Sequence, residues 1–378
     1  MVPKQGRNMM DSGMVNMGPL WWWLRSDELL DLVRQTSPLH VLNEETLNEV
    51  FFDLLSLFGV ERLLYPVYAN PHRKILEKAW DLDAGFSCVT YQEMTHLLKD
   101  FPRLDPERIL LLPSVASDRF LEHAWEPNVC GVLSDLSRMK RVPDSLGKKR
   151  GFIHVDQWRK KAGTGRITSY LRGVYWFSNL ISPCPDDSHA ARRFISKAVE
   201  QLPEGFTLVL GNDRTIHTSA GNDCVGLQSL SDYLGDIKEA NPRVAVWLEL
   251  PFAMLSSAGA LLTRVVETGT RGDLPFVRVN LENTLRGRDR GMGMYRRVIN
   301  LSRPDMTKTR PVMILGGQAG LSQGRVLIWD APRVIEADDV LLFTHMGALG
   351  LETDSDTKAM QNVPTQYLQA RSMCPVRL

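Results

Sequence analysis

Apolar positions along the chain change period repeatedly. Leu24, Leu30, Leu32 and Val33, with Asp27 between them, predict a short amphipathic helix. Pro38-Leu39-His40-Val41-Leu42 reads as an extended run. Glu44 to Leu57 returns to helical spacing, and Gly59 ends it. Short β-rich runs follow at Leu63 to Val67, Phe86 to Val89, Ile109 to Leu112 and Asn128 to Leu133. Four more lie at Gly151 to Val155, Leu171 to Phe177, Thr207 to Leu210 and Val244 to Leu248. Amphipathic helical stretches separate most of them, such as His189 to Leu202 and Leu230 to Ala240. Eight strand–helix units in succession predict an α/β chain with a (β/α)8 TIM barrel rather than an open doubly wound sheet. A dinucleotide-binding sheet would carry G-x-G-x-x-G after its first strand, and none is present.

After residue 258 the helical period fades. Leu261 to Val266, Phe276 to Val279, Pro311 to Leu315, Val326 to Trp329 and Val340 to Phe343 read as strands between turns. The expected organisation is a leader over 1–20, a segment over 21–45 that joins the second domain, a barrel over 46–257 and a smaller C-terminal β domain over 258–378. The leader holds Met9, Met10, Met14 and Met17 among Gly and polar residues, with no apolar core for a signal peptide, and is expected to be mobile.

Composition narrows the picture. The 378 residues are 43% apolar and 24% charged, ordinary globular values that exclude coiled coil, collagen and wholesale disorder. Lys and Arg total 45 against 44 Asp and Glu, a net charge of +1. That balance gives no footprint for nucleic acid or an anionic membrane. No run is long and apolar enough for a transmembrane helix. Lys148-Lys149-Arg150 and Arg286 to Arg290 read as solvated loops. The five cysteines, Cys88, Cys130, Cys184, Cys224 and Cys374, form no Cys-x-x-Cys pair. They read as free thiols in a reducing cytoplasm, with no structural metal site. No nucleophile elbow, Walker loop, His-Glu-x-x-His or EF-hand loop occurs.

Several stretches carry a resemblance. They are Pro38-Leu39-His40-Val41, Leu64-Tyr65-Pro66-Val67-Tyr68-Ala69-Asn70-Pro71-His72, Gly85-Phe86-Ser87-Cys88-Val89, Phe101 to Pro113 (FPRLDPERILLLP), Trp247-Leu248-Glu249, and Ser257 to Val265 (SAGALLTRV). Together they resemble the diaminopimelate decarboxylases, a branch of the ornithine/lysine/arginine decarboxylases with the alanine-racemase-like layout of a barrel followed by a β domain. The local sequence is most similar to the decarboxylase half of bifunctional aspartate kinase–decarboxylases, from about Trp21 to Leu351. The resemblance implies pyridoxal phosphate as cofactor, a small amino-acid-like ligand and a head-to-tail homodimer.

Most of the family's chemical positions are changed. The family's first strand ends in Tyr-Ala-Val-Lys-Ala-Asn, whose lysine forms the Schiff base; Tyr68 holds that place, and a phenol forms no imine. Phe177 stands for the histidine that stacks on the pyridine ring. The phosphate cradle Gly-Gly-Gly becomes Gly211-Asn212-Asp213, which places a carboxylate where a phosphate would sit. Glu249 keeps the position that meets the pyridine nitrogen, while Phe252 replaces the arginine of Glu-Pro-Gly-Arg. The cross-subunit Cys and Glu are absent from Leu321-Ser322-Gln323-Gly324-Arg325, and Leu349 replaces a late tyrosine. The resemblance thus leaves Glu249, Gly211 and Phe177 as cofactor-site candidates. His72 is a candidate acid or base, or a hydrogen-bonded rim histidine. Lys74 is a candidate displaced amine.

Tyr68, Trp176, Phe177 and Phe252 are expected near the barrel mouth, as a refilled core or as a pocket for another planar ligand. Three functions stay open. One is a divergent decarboxylase-like protein of amino-acid-derived metabolism, such as the lysine branch or antimetabolite pathways like that to tabtoxin, which includes a relative. The others are a non-catalytic relative that binds or regulates a pathway enzyme, and a cofactor-free enzyme using the old mouth.

Overall fold

The structure, a computed structural model, describes residues 21–112, 129–133, 151–155, 157–158, 171–177, 193, 195–211, 227–281, 297–303, 309–316, 328–348 and 363–370. These fall into two compact units, one of residues 21–50 and 253–370, the other of residues 51–252. The expected leader, Asn212, Asp213, Leu321 to Arg325 and Leu349 lie outside the described residues.

The chain enters through α1 (Trp21–Leu24), α2 (Ser26–Gln35), β1 (Leu39–Asn43) and α3 (Glu44–Leu55). The barrel then runs through β2 (Val60–Pro66), β3 (Gly85–Cys88), β4 (Ile109–Leu111), β5 (Cys130–Leu133), β6 (Gly151–His154), β7 (Leu171–Phe177), β8 (Thr207–Gly211) and β9 (Ala245–Glu249). Each strand pairs in parallel with the next, and β9 pairs with β2 to close the ring. Each predicted barrel strand is present, displaced by at most a few residues. Short apolar runs between turn signals suit strands covered on both faces.

The helices start where local chemistry allows. In α4 (Arg73–Asp81), Ile75, Leu76 and Ala79 line one buried face while Arg73 and Lys74 pair with Glu77 on the exposed one. At α5 (Tyr91–Asp100), Thr90 Oγ1 accepts the Glu93 N–H, and Glu93 accepts in return from the Val89 N–H. That reciprocal pair is close to a capping box and satisfies two donors that a helix start leaves bare. The chain returns through α6 (Leu227–Ala240) into β9.

Leu64, Leu110, Cys130, Phe152, Tyr175, Val209 and Trp247 form the inner cluster, one from each strand except β3. Two register shifts mark the ring. One falls between Val60 and Arg62 on β2; the other leaves Arg172 as the extra residue between Leu171 and Gly173 on β7. Gly173 is required at its place, because a Cβ there would lie 1.8 Å from the Thr207 carbonyl oxygen.

The second unit is a mixed sheet of β10 (Gly259–Arg271), β11 (Leu274–Val279), β12 (Val298–Asn300), β13 (Thr309–Gly316), β14 (Ile328–Pro332), β15 (Val340–Thr344) and β16 (Thr365–Leu368), joined by β1. β1 pairs antiparallel with β10 and parallel with β16. Side-chain alternation on β10 splits the core in two. Leu261 and Val265 pack with Val277 and Phe343, while Ala260 and Leu262 pack with Trp22, Leu29 and Val33 of the N-terminal helices. Gly272 at φ +61° makes the β10–β11 turn. The predicted strands of this unit are present. β10 is longer than expected, and β12 and β16 are additional, each too short for its period to register.

Candidate functional site

Tyr68 follows β2 in a tight turn. The Ala69 N–H donates to the Pro66 carbonyl, and the buried Tyr65 hydroxyl donates to the Asn70 carbonyl at 2.6 Å. Asn70 Oδ1 accepts the His72 N–H, which leads the chain into α4. This loop holds the half-buried Tyr68 ring over the C-terminal end of the barrel, where the ends of β2, β3, β7 and β9 meet around one carboxyl group.

That group is Glu249, the last residue of β9 and fully buried. Its Oε1 accepts from Ser87 Oγ at 2.7 Å and from the Tyr68 hydroxyl at 3.1 Å. Its Oε2 accepts from the Tyr175 hydroxyl at 2.9 Å. Burial is the main influence on Glu249 and pushes its pKa up, while the Ser87, Tyr175 and Tyr68 hydrogen bonds pull it down; the net direction is upward. Burial also pushes the Tyr175 phenol well up, with Glu249 and Tyr68 adding to it. Hydroxyls both donate and accept, so the same three neighbours serve the ionised carboxylate and the neutral acid. At the mouth side of Tyr175, the His154 ring at the end of β6 meets the phenol ring edge-on, with centroids 6.5 Å apart.

Gly211 pairs with both Phe177 and Glu249, so the three cofactor-site candidates share one rung across β7, β8 and β9. Tyr68 joins them through Glu249. The side chains of Phe177 and Phe252 lie outside the described ones. His72 stands at the N-cap of α4, where burial lowers its pKa. Lys74 is not among the groups the structure brings to Glu249: it lies on the exposed face of α4, 3.1 Å from Glu77. Trp176 also needs correction. It falls between Tyr175 and Phe177, and strand alternation turns it away from the barrel interior that Tyr175 enters.

Sequence reasoning missed Ser87, Tyr175 and His154. A signal existed for two of them. Glu249 and Phe177 at the rim imply that Tyr175, two residues before Phe177, also faces inward. Ser87 is a polar residue in a strand that is buried throughout.

Pyridoxal phosphate does not fit this arrangement in the way the resemblance implies. A phenol stands where the resemblance puts the imine-forming amine, and three hydroxyl donors take most of the acceptor sites of the acid that the resemblance assigns to the pyridine nitrogen. Among the described residues no group of three His, Cys, Asp or Glu side chains stands ready to hold a metal ion, and no helix is long and apolar enough to cross a membrane.

Solved structures share the architecture nearly end to end. The lysine decarboxylase from Selenomonas ruminantium matches with a TM-score of 0.67 and 19% identity, over 90% of this chain and 95% of that one. The Paramecium bursaria Chlorella virus arginine decarboxylase matches with a TM-score of 0.70 and 15% identity, over 91% and 99%. The diaminopimelate decarboxylase from M. jannaschii, in complex with L-lysine, matches with a TM-score of 0.67 and 17% identity, over 90% and 89%. The chain has the fold of the amino-acid decarboxylases. No protein-family model and no curated protein matches the sequence. Within this fold, the cluster around Glu249 occupies the barrel end at which such barrels place their sites.

Proposed function

We propose that this chain is a divergent decarboxylase-fold protein of amino-acid-derived biosynthesis, in the lysine branch or in a toxin or antimetabolite pathway, that has given up imine chemistry on pyridoxal phosphate. One observation carries this reading: Tyr68 stands where the resemblance places the Schiff-base lysine, and its hydroxyl is bonded to Glu249. A phenol at that place removes the covalent step, and the bond it makes removes a free acceptor as well. What the mouth retains is a buried acid surrounded by hydroxyls, suited to a small polar, amino-acid-like ligand. The proposed setting is a cytoplasmic homodimer, as the resemblance implies.

A second reading, a non-catalytic relative that binds or regulates a pathway enzyme, is favoured by the same hydrogen bonds. They tie Glu249 to three side chains of the barrel itself.

Borohydride reduction in the presence of pyridoxal phosphate, followed by peptide mass mapping, tests the loss of imine chemistry. The expected result is no stoichiometric pyridoxyl adduct on any single lysine, and no CO2 release from lysine, ornithine, arginine or meso-diaminopimelate. A single adduct accompanied by CO2 release overturns the reading. Tyr68→Lys alone is expected to leave activity absent, because Ser87 and Tyr175 still hold Glu249.

A further inference from the structure

The opposite end of the barrel carries a second arrangement that the mouth chemistry does not use. Trp247, two residues before Glu249 on β9, is buried and packs on Phe152 with ring centroids 5.7 Å apart. Two guanidinium groups lie over its indole, Arg62 and Arg172, each 4.8 Å from the ring centroid. Both arginines sit at the two register shifts of the barrel ring, one near the start of β2 and one near the start of β7. A bulge re-aims a side chain that regular alternation would direct elsewhere. The bulge on β7 turns Arg172 inward, while Arg62, two residues before the inward-facing Leu64, reaches the same ring by regular alternation.

Among the described residues the charges there do not balance. Arg172 pairs with Glu107 at 3.3 Å, and Arg108 pairs with Asp83 at 2.9 Å while also donating to the Ala84 carbonyl. The Arg62 guanidinium makes no side-chain hydrogen bond or ion pair among the described residues and lies over the Trp247 ring. Among the described residues three guanidinium groups thus face two carboxylates, and the unmatched one is half-buried. Burial is the largest influence on Arg62 and lowers its pKa, and Arg172 and Arg108 lower it further by like-charge repulsion.

We propose that the N-terminal end of the barrel binds a small oxyanion, a phosphate or carboxylate group, at the guanidinium groups of Arg62 and Arg172, both of which are held against the Trp247 indole. Arg62 supplies an unused planar fork of N–H donors, the geometry that matches such oxygens in pairs. Arg172 shares its remaining donors between the anion and Glu107. Glu107 is then a competitor for the site, held in place when the anion is absent.

The test is equilibrium dialysis of the full-length chain against inorganic phosphate, and separately against acetate, at constant ionic strength set with chloride. Saturable binding of either anion is expected, and the preferred one tells a phosphate site from a carboxylate site. Arg62→Gln is expected to weaken it by about tenfold or more, since charge-assisted hydrogen bonds are lost. Glu107→Gln is expected to tighten it, because a competing carboxylate is removed. That gain would not arise if the arginines only plugged the barrel, and it is read on a variant that keeps both of them. Absence of saturable binding of both anions overturns the proposal. So does unchanged affinity in Arg62→Gln, or weakened affinity in Glu107→Gln.

Discussion

The two ends of the barrel handle buried charge in opposite ways. At the C-terminal end one acid, Glu249, is enclosed by three neutral hydroxyls and has no cation beside it among the groups that bond it. At the N-terminal end Arg62 and Arg172 crowd one indole, with a single carboxylate, Glu107, paired to one of them. Burying an unpaired charge is costly, and the two ends avoid the cost by different routes. The acid can become neutral, and burial moves its pKa in that direction. An arginine cannot lose its proton in a protein, so the floor keeps its cations against an aromatic face and close enough to solvent to stay hydrated. Among the described residues the acid at the mouth is met by hydroxyl donors on both oxygens, whereas the floor has one guanidinium group left over.

Trp247 belongs to both ends, since it supports the arginines and lies in the inner cluster beneath Glu249. Trp247→Ala should therefore have the largest effect on stability. Truncating a buried Trp costs about 3–5 kcal/mol. Urea unfolding followed by circular dichroism measures it. A loss below about 1 kcal/mol would mean the layer closes over the gap, and the two ends would then not depend on a common ring.

Within the mouth, the three hydroxyls are not equivalent. Tyr175 is the donor to Oε2 of Glu249, whereas Ser87 and Tyr68 share Oε1. Tyr175→Phe leaves a buried oxygen without its donor and should cost about 1–3 kcal/mol. Tyr68→Phe leaves Ser87 on the same oxygen and removes a half-buried hydroxyl, so its cost should be about 0.5–1.5 kcal/mol. Equal losses in the two variants, by the same urea titration, would show that the Tyr68 phenol matters as much to the closure of the mouth as the fully enclosed one.

The contrast between the ends also explains what the sequence revealed. The barrel strands were legible because each is a short apolar run bounded by turns, and closure followed from having eight of them. β12 and β16 were not, since three or four residues carry no usable period. At the mouth, Tyr68 and Glu249 were legible because the resemblance marks those positions. Ser87 lies in a stretch that carries the resemblance and Tyr175 lies two residues before Phe177, but no role marks either, and only their placement around Glu249 gives them one. The floor was invisible for a different reason. Arg62 and Arg172 read as ordinary charges in their strands, and the β-bulge that turns Arg172 toward Trp247 leaves no composition signal. Lys74 is a candidate amine only from its place along the chain beyond Tyr68, and the exposed helix face on which it falls shows only in the structure.

The smallest expected effect is the pH dependence of Glu249, because it is what remains after opposing influences. Burial raises the carboxyl above its usual 4.5, and hydrogen bonds from Ser87, Tyr175 and Tyr68 pull it back. A carboxyl whose folded-state pKa is raised binds its proton more tightly in the folded chain than in the unfolded one. Folding is then favoured most when the group is protonated in both states, below the usual 4.5. The contribution is lost as pH rises through the folded value, because ionising the buried acid then weighs on the folded state alone. The quantity to follow is the unfolding free energy of the parent minus that of Glu249→Gln, which keeps the shape but cannot ionise. It should fall as pH is raised from 4.5 toward neutrality and then level off. A difference that rises over the same interval would mean that the hydroxyls outweigh burial. The mouth would then hold a stabilised carboxylate, ready to meet a cationic ligand, and its likeness to the charged floor would replace the contrast.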